Sequence, residues 1–272
     1  HAVNPSTGEA WKDATASQRF LQECVAASEK IMNSGMFKLY NTGKPETDYR
    51  YVFQQEKPVK DEVIWAKEYS AELSSYHNLT QLFVSSGNQS NRWSPTQEFV
   101  NTYLNRDGSR FTDAAGYETK SFVQNSTNRD CRLAQTMMMP GYTKLNNNGE
   151  KMETTPDWSV TMTGYQVIKY NMDGTFYEVT NHSSNAVPVI RYAEILLNEA
   201  EAKAELGQMT NQVWNKTIRL LRERAGVGGS APTSADPYLV SYYDNKVTDM
   251  WLLEIRRERA IELFFEGGGL RY

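Results

Sequence analysis

The sequence predicts a mainly α-helical fold with long loops and a few short strands, and three observations carry that prediction. First, Val187 to Gly226 reads as two helices packed on each other. Ala193, Leu196, Leu197, Ala200 and Ala204 recur at steps of three and four, and Trp214, Ile218, Leu221 and Ala225 follow at four, three and four. Gly207 and Gly226 stop the two segments, and Pro188 suits the first turn of the first. Such a hairpin is the unit of tetratricopeptide-like stacks. Second, Ser17–Ser34 carries an apolar stripe of Phe20, Cys24, Ala27 and Ile31 and ends at Gly35. Third, a segment from about Thr248 to Phe265 sets Glu254, Glu258 and Glu262 at i,i+4 steps among Arg256, Arg257 and Arg259.

The remaining elements are shorter. Asp61–Tyr69 alternates at Val63 and Trp65 and reads as a short strand or the edge of the core. Ser70–Trp93 is polar, without a sustained period, and holds one apolar knot at Leu82–Val84. Pro95–Tyr103 returns to a helical pattern with Phe99, Val100 and Tyr103. Leu145–Thr163 reads as loop, and Tyr165–Tyr170 and Phe176–Val179 are candidate strands around a turn at Asn171–Gly174.

Composition excludes several functions. The 272 residues carry a formal net charge of -4, which gives no electrostatic reason to bind nucleic acid. No apolar run is long enough to span a bilayer. The two cysteines, Cys24 and Cys131, make no disulfide framework, and His1, His77 and His182 lack metal-ligand neighbours, so neither metal nor cofactor is expected. No G-x-S-x-G, HExxH or phosphate-binding glycine loop occurs. Glu258, Glu262 and Glu266 line one helix face among arginines, where a structural ion-paired row is the expectation rather than a pair of glycosidase carboxylates. The chain is therefore read as non-catalytic.

Aromatic residues are the better functional signal: there are 6 Trp, 16 Tyr and 10 Phe. A sugar offers an apolar C–H face for a flat ring and a hydroxyl rim for Asn, Gln, Asp and Arg. Tyr76–His77–Asn78 and Asn88–Trp93 have that composition, which selects Tyr76, His77, Asn91, Arg92 and Trp93 as ligand-binding candidates. Trp158, and after it Tyr142, come from a second loop region. Trp11, Trp65, Trp214 and Trp251 are assigned to packing.

Four segments, at 190–226, at Ser94–Gly108, at Asn128–Leu133 and at Glu254–Tyr272, together resemble the SusD/RagB family, the surface nutrient-binding lipoproteins of Bacteroidetes. IRYAEILLNEAEAKAELG with TIRLLRERAG is similar to its C-terminal region. SPTQEFVNTY at Ser94–Tyr103, with Asp107–Gly108 beyond it, resembles "SPTQELVDAY…DG". NRDCRL at Asn128–Leu133 resembles "NRDPRL", with Cys131 in place of Pro. EIRRERAIELFFEG at Glu254–Gly267, then Leu270–Tyr272, resembles "EIRRERRVELAFEG-LRY", with extra glycines at Gly268 and Gly269. The resemblance implies a SusD-like α-helical fold and one domain over 1–272, with an N-terminal portion bearing a lipidated Cys and a short C-terminal tail lying beyond this sequence. It implies capture of a glycan or other nutrient at the outer-membrane surface, as the lid of a SusC-like TonB-dependent transporter. The contrasting expectation is a helical-repeat adaptor that binds a peptide or partner helix along 187–226.

Overall fold

The computed structural model describes residues 4–9, 14–85 and 92–267. In chain order the helices are α1 (Ala14–Ser34), α2 (Asp48–Gln54), α3 (Leu79–Val84), α4 (Gln97–Asn101), α5 (Phe122–Ser126), α6 (Cys131–Thr136), α7 (Tyr192–Glu205), α8 (Asn211–Lys216), α9 (Ile218–Arg224), α10 (Pro237–Tyr242) and α11 (Met250–Glu262). The strands are β1 (Val63–Lys67), β2 (Thr143–Leu145), β3 (Lys151–Glu153) and β4 (Val187–Arg191). They form two antiparallel pairs, β1 with β4 and β2 with β3. The predicted mainly α fold with long loops and few strands is what is found.

The helix-ending glycines act as their positions suggest. After α7, Gly207 adopts φ +68°, its N–H reaches the Ala204 carbonyl, and the Gln208 N–H reaches Lys203 at 2.7 Å. After α9, Gly226 adopts φ +65°, its N–H reaches Glu223, and Val227 reaches Arg222. Both are paired closures that satisfy orphaned helix carbonyls. At the other ends, Thr210 accepts from the Val213 N–H and Asp249 from the Leu252 N–H.

Several local expectations need correction. Val187–Arg191 is a strand, not the first helical turn; Pro188 lies opposite Ala66, and α7 starts at Tyr192. The second half of the hairpin is broken at Thr217, which separates α8 from α9. In α1 the buried face is rotated from the predicted stripe: Phe20 is 59% exposed, whereas Ser28 is buried. Trp65, assigned to the core, is 61% exposed, because the β1–β4 ribbon has one open face. Tyr165–Tyr170 and Phe176–Val179 are not strands. Residues Thr175–Glu178 form a 3-10 turn, and the hairpin is β2–β3, built in a stretch that reads as loop. Its turn is closed by Asn146, whose Oδ1 accepts from the N–H groups of Asn148 and Glu150, both at 2.9 Å.

Two apolar clusters support the molecule. One gathers Tyr49, Phe53, Phe83, Tyr103, Met137 and Tyr170 around α2, α3 and α6. The other joins α7, α8, α9 and α11 through Leu196, Ala200, Trp214, Ile218, Leu221 and Leu263. Trp214 is fully buried, as assigned, and Trp251 packs against it.

Between the clusters lies a buried ionic knot. Glu262 accepts from Arg132 at 2.9 Å, from Arg191 at 2.6 Å and from Arg224. Arg191 also holds Glu62 and Glu266, each at 2.8 Å, and Lys169 holds Glu266 at 2.7 Å. Arg222 binds Glu254 and Glu258, and Arg132 binds Asp130 and Glu258. The β1–β4 pairing delivers two of these groups: Glu62 immediately precedes β1, and Arg191 ends β4. The arginines hold the Glu262 carboxyl well below its ordinary range against the opposing effect of burial. Burial lowers the Lys169 ammonium to about 8.

Candidate functional site

The carboxylate row that could have suggested hydrolysis is the centre of that knot. Glu258, Glu262 and Glu266 are no more than 2% exposed and are each held by cations. This is the ion-paired structural row expected from the sequence. Among the described residues, no group of three or more His, Cys, Asp or Glu side chains is placed to hold a metal ion. No described helix is long and apolar enough to cross a membrane.

The aromatic candidates are organised by α3. Trp93 packs on Phe83 of α3 with ring centroids 5.3 Å apart, and on Phe265 at 5.2 Å. It remains 40% exposed. Phe265 itself sits at φ +60°, a left-handed conformation that is costly for a bulky side chain. It is held by Phe83, Trp93 and Phe264 rings. Arg92, beside Trp93, is exposed.

Trp158 lies on a separate loop that is stitched to the Trp93 loop. Ser94 Oγ accepts from the Met162 N–H at 2.7 Å, and Thr163 Oγ1 donates to the Pro95 carbonyl at 2.7 Å. Gln166 accepts from the Asp157 N–H at 2.8 Å and donates to the Phe83 carbonyl at 3.0 Å. The turn carrying Trp158 is fixed by Asp157, whose side chain accepts from the Ser159 N–H at 2.7 Å. The indole rests over Gly164, where an added Cβ would stand 3.5 Å from the ring. Trp158 nevertheless leaves 69% of its surface free. Two exposed indoles thus stand on loops anchored to one short helix and to each other. Each indole leaves apolar ring surface exposed, the kind of surface on which a flat C–H face stacks.

Tyr76 and His77 are drawn into the chain just before α3. The Tyr76 hydroxyl donates to the Ala71 carbonyl at 3.1 Å. Both His77 nitrogens are engaged. Nδ1 accepts from the Leu79 N–H at 3.1 Å, so Nε2 carries the proton and donates to the Asn185 carbonyl at 2.9 Å. Burial lowers the His77 pKa from its usual 6.5. His77 therefore holds two segments together and has no ring nitrogen left for a ligand. Asn91, like Trp11, lies outside the described residues. Tyr142 is committed to Asp173 at 2.5 Å.

Sequence reading missed other exposed apolar groups near α3. Met162 is 69% and Phe176 57% exposed, and Phe176 stacks on His182 with centroids 4.5 Å apart. Ser85, at the end of α3, donates to the Glu178 carbonyl at 2.6 Å, which ties the Phe176 turn to the same helix. Two depressions were also missed. An apolar groove of about 690 Å³ runs between Phe99, Leu239, Tyr243 and Phe264. Beside it, a cleft of about 680 Å³ is walled by Tyr117, Tyr238 and Tyr242. Tyr238 and Tyr242 at i,i+4 after Pro237 were a legible pair; their partner Tyr117, far away in sequence, was not.

The family model of the SusD family matches residues 61–270. Among solved structures, a SusD-like protein from Bacteroides fragilis superposes with TM-score 0.64 at 21% identity, covering 92% of this chain and 49% of its own. A SusD-like carbohydrate binding protein from the same species gives 0.63 at 23% identity, covering 92% and 47%. Surface glycan-binding protein A from Bacteroides uniformis gives 0.52 at 17%, covering 91% and 44%. These likenesses establish the fold, and the chain spans about half the length of the structures it matches. No curated protein sequence matches.

Proposed function

The chain belongs to the SusD family, and from that premise we propose that it is part of a non-catalytic glycan-binding protein of the cell surface. The observation that carries this reading is the pair of exposed indoles, Trp93 and Trp158, held on stitched loops over α3. Rings fixed in advance lose little freedom when a sugar stacks on them, and Arg92 stands beside Trp93 to bond hydroxyls on the rim. The solved relatives whose names specify carbohydrate or glycan binding support the ligand class. In the complete protein, residues 1–272 act as one unit with a lipid-anchored N-terminal portion. That protein lids a SusC-like TonB-dependent transporter at the outer membrane and passes nutrient into it. Differential affinity of the open and closed lid for the loaded state sets the direction of opening.

The adaptor alternative finds less support. Helix α7 packs against α1 and α11, and its apolar residues are already covered.

The test is a glycan array probed with the full protein, followed by titration of the best neutral oligosaccharide against Trp93→Ala and Trp158→Ala. Loss of one stacked ring is expected to weaken binding about 5- to 10-fold, from the roughly 1 kcal/mol scale of an aromatic contact. Binding that is unchanged in both variants would move the site elsewhere. A detergent pull-down from outer membranes tests the partner: recovery without a receptor-sized companion would remove the lid reading.

A further inference from the structure

A second surface has the makings of a ligand site, and neither Trp93 nor Trp158 lines it. The cleft of about 680 Å³ is bounded by α4, α10 and the turn at Tyr117–Thr119. Its volume falls in the range of small-molecule sites, about 300–1,000 Å³. The rings of Tyr238 and Tyr242 stand 6.4 Å apart at 31°, and Tyr117 meets Tyr238 at 90° with centroids 6.2 Å apart. Tyr238 is therefore the shared member of a cluster of three rings that line the cleft. Its position is fixed, because its hydroxyl donates to the Glu98 backbone carbonyl at 2.9 Å and joins α10 to α4.

The charge around these rings has one sign. Glu98, Glu118 and Asp244 line the cleft, and among the described residues no lysine or arginine does. Lys246 pairs with Asp244 at 3.1 Å, but both side chains are more than three-quarters exposed, so the pair yields readily to a better partner. Asp244 and Asn245 hold φ of 52° and 60°, a left-handed pair that stops α10 at the cleft rim. Ring faces are negative at their centres, and a cation over several of them gains with each.

We propose that this cleft binds an ammonium group carried on a small organic ligand, with the Tyr117–Tyr238–Tyr242 cluster against it and the carboxylates as counter-charges. The same chemistry is offered by an amino sugar and by a polyamine. A uronic or other acidic sugar is refused, since the rim would repel it.

The experiment is calorimetric titration of the full protein with three probes. These are the glucosamine trimer, its fully N-acetylated counterpart and spermidine. The two trimers share rings and linkage and differ in charge. The glucosamine trimer is expected to bind at least ~10-fold more tightly than the acetylated one, and Tyr242→Ala to weaken it by ~5-fold or more. Tyr242 is 42% exposed, so its removal is expected to leave the fold intact, with an unchanged circular dichroism spectrum as the check. Glu98→Gln with Asp244→Asn is a second variant, expected to abolish the preference between the trimers. Spermidine binding without glucosamine-trimer binding assigns the ammonium source as a polyamine. Equal binding of both trimers, no binding by either cation, or insensitivity to both variants overturns the proposal. Trp93→Ala separates the two sites: it should weaken neutral-glycan binding and leave the ammonium titration unchanged.

Discussion

Glu262→Gln tests the ionic knot most directly. The substitution preserves shape but removes the charge shared by Arg132, Arg191 and Arg224, and it turns an N–H₂ toward one of those donors. Removing one partner of a buried pair costs about 3–5 kcal/mol, because the uncompensated charge stays out of water. Each of the three arginines keeps another carboxylate: Arg132 has Asp130 and Glu258, Arg191 has Glu62 and Glu266, and Arg224 has Glu62. The lower end, about 3 kcal/mol, is therefore the expected loss. For a chain of this size that lowers Tm by about 6–12 °C. Thermal unfolding at pH 7, followed by circular dichroism, reads the shift. Glu223→Gln is the control. Its pair with Arg219 measures 2.6 Å, but both side chains are about half exposed. It should move Tm by no more than about 1–2 °C. If Glu262→Gln moves Tm no further than its control, the knot is not a source of stability and the reasoning fails.

Other outcomes follow from the same geometry. Because the folded state lowers the Glu262 and Glu254 pKa values, their stabilisation is complete above the ordinary value of 4.5 and is lost as pH falls through the folded values; a chemical-denaturation series from pH 7 to 3 should show that decline. His77 acts in the same direction at higher pH. The unfolded imidazole takes its proton near 6.5 and the folded one only lower, so stability begins to fall as pH drops through 6.5, and His77→Gln should remove that part of the slope. Gly228→Ala places a Cβ 2.1 Å from the Asp107 carbonyl oxygen, a backbone atom that cannot swing aside, and should cost about 1–3 kcal/mol in urea unfolding; Gly149→Ala, with no neighbour within 4 Å, meets only its left-handed φ and should cost less.

What the sequence made legible was what local pattern controls. Helix α7 repeats apolar residues at helical spacing and ends in glycine, so its course and its buried face could both be read. Pro188 could not decide between a first helical turn and an edge strand, because its missing N–H is tolerated in both. The choice came from β1, a partner remote in sequence. The rotation of α1 was hidden for a related reason. It packs on α7, whose contacts select Ser28 over Phe20, and hydrophobicity alone selects the reverse. Composition selected Trp93, Trp158 and His77 alike as candidates; the structure leaves both indoles exposed and engages both His77 nitrogens. The engagement of His77 by Leu79 and Asn185 depends on a segment far along the chain. Tyr117 joins Tyr238 by the same kind of non-local approach.

The knot also sets how the molecule comes apart. Its members arrive from the approach to β1, from α6, from the end of β4, from α9 and from α11, and apart from the local Asp130–Arg132 pair the ion pairs named in it join segments remote in sequence. An excised 187–226 hairpin would present Arg191, Arg222 and Arg224 without Glu62, Glu254, Glu258 or Glu262, and should be unfolded in isolation. In the whole chain, the amides of α7, α9 and α11 should exchange with solvent through one shared opening, with a common dependence on denaturant. The exposed loops can then vary in sequence without loosening the scaffold, because the cooperative unit closes beneath them.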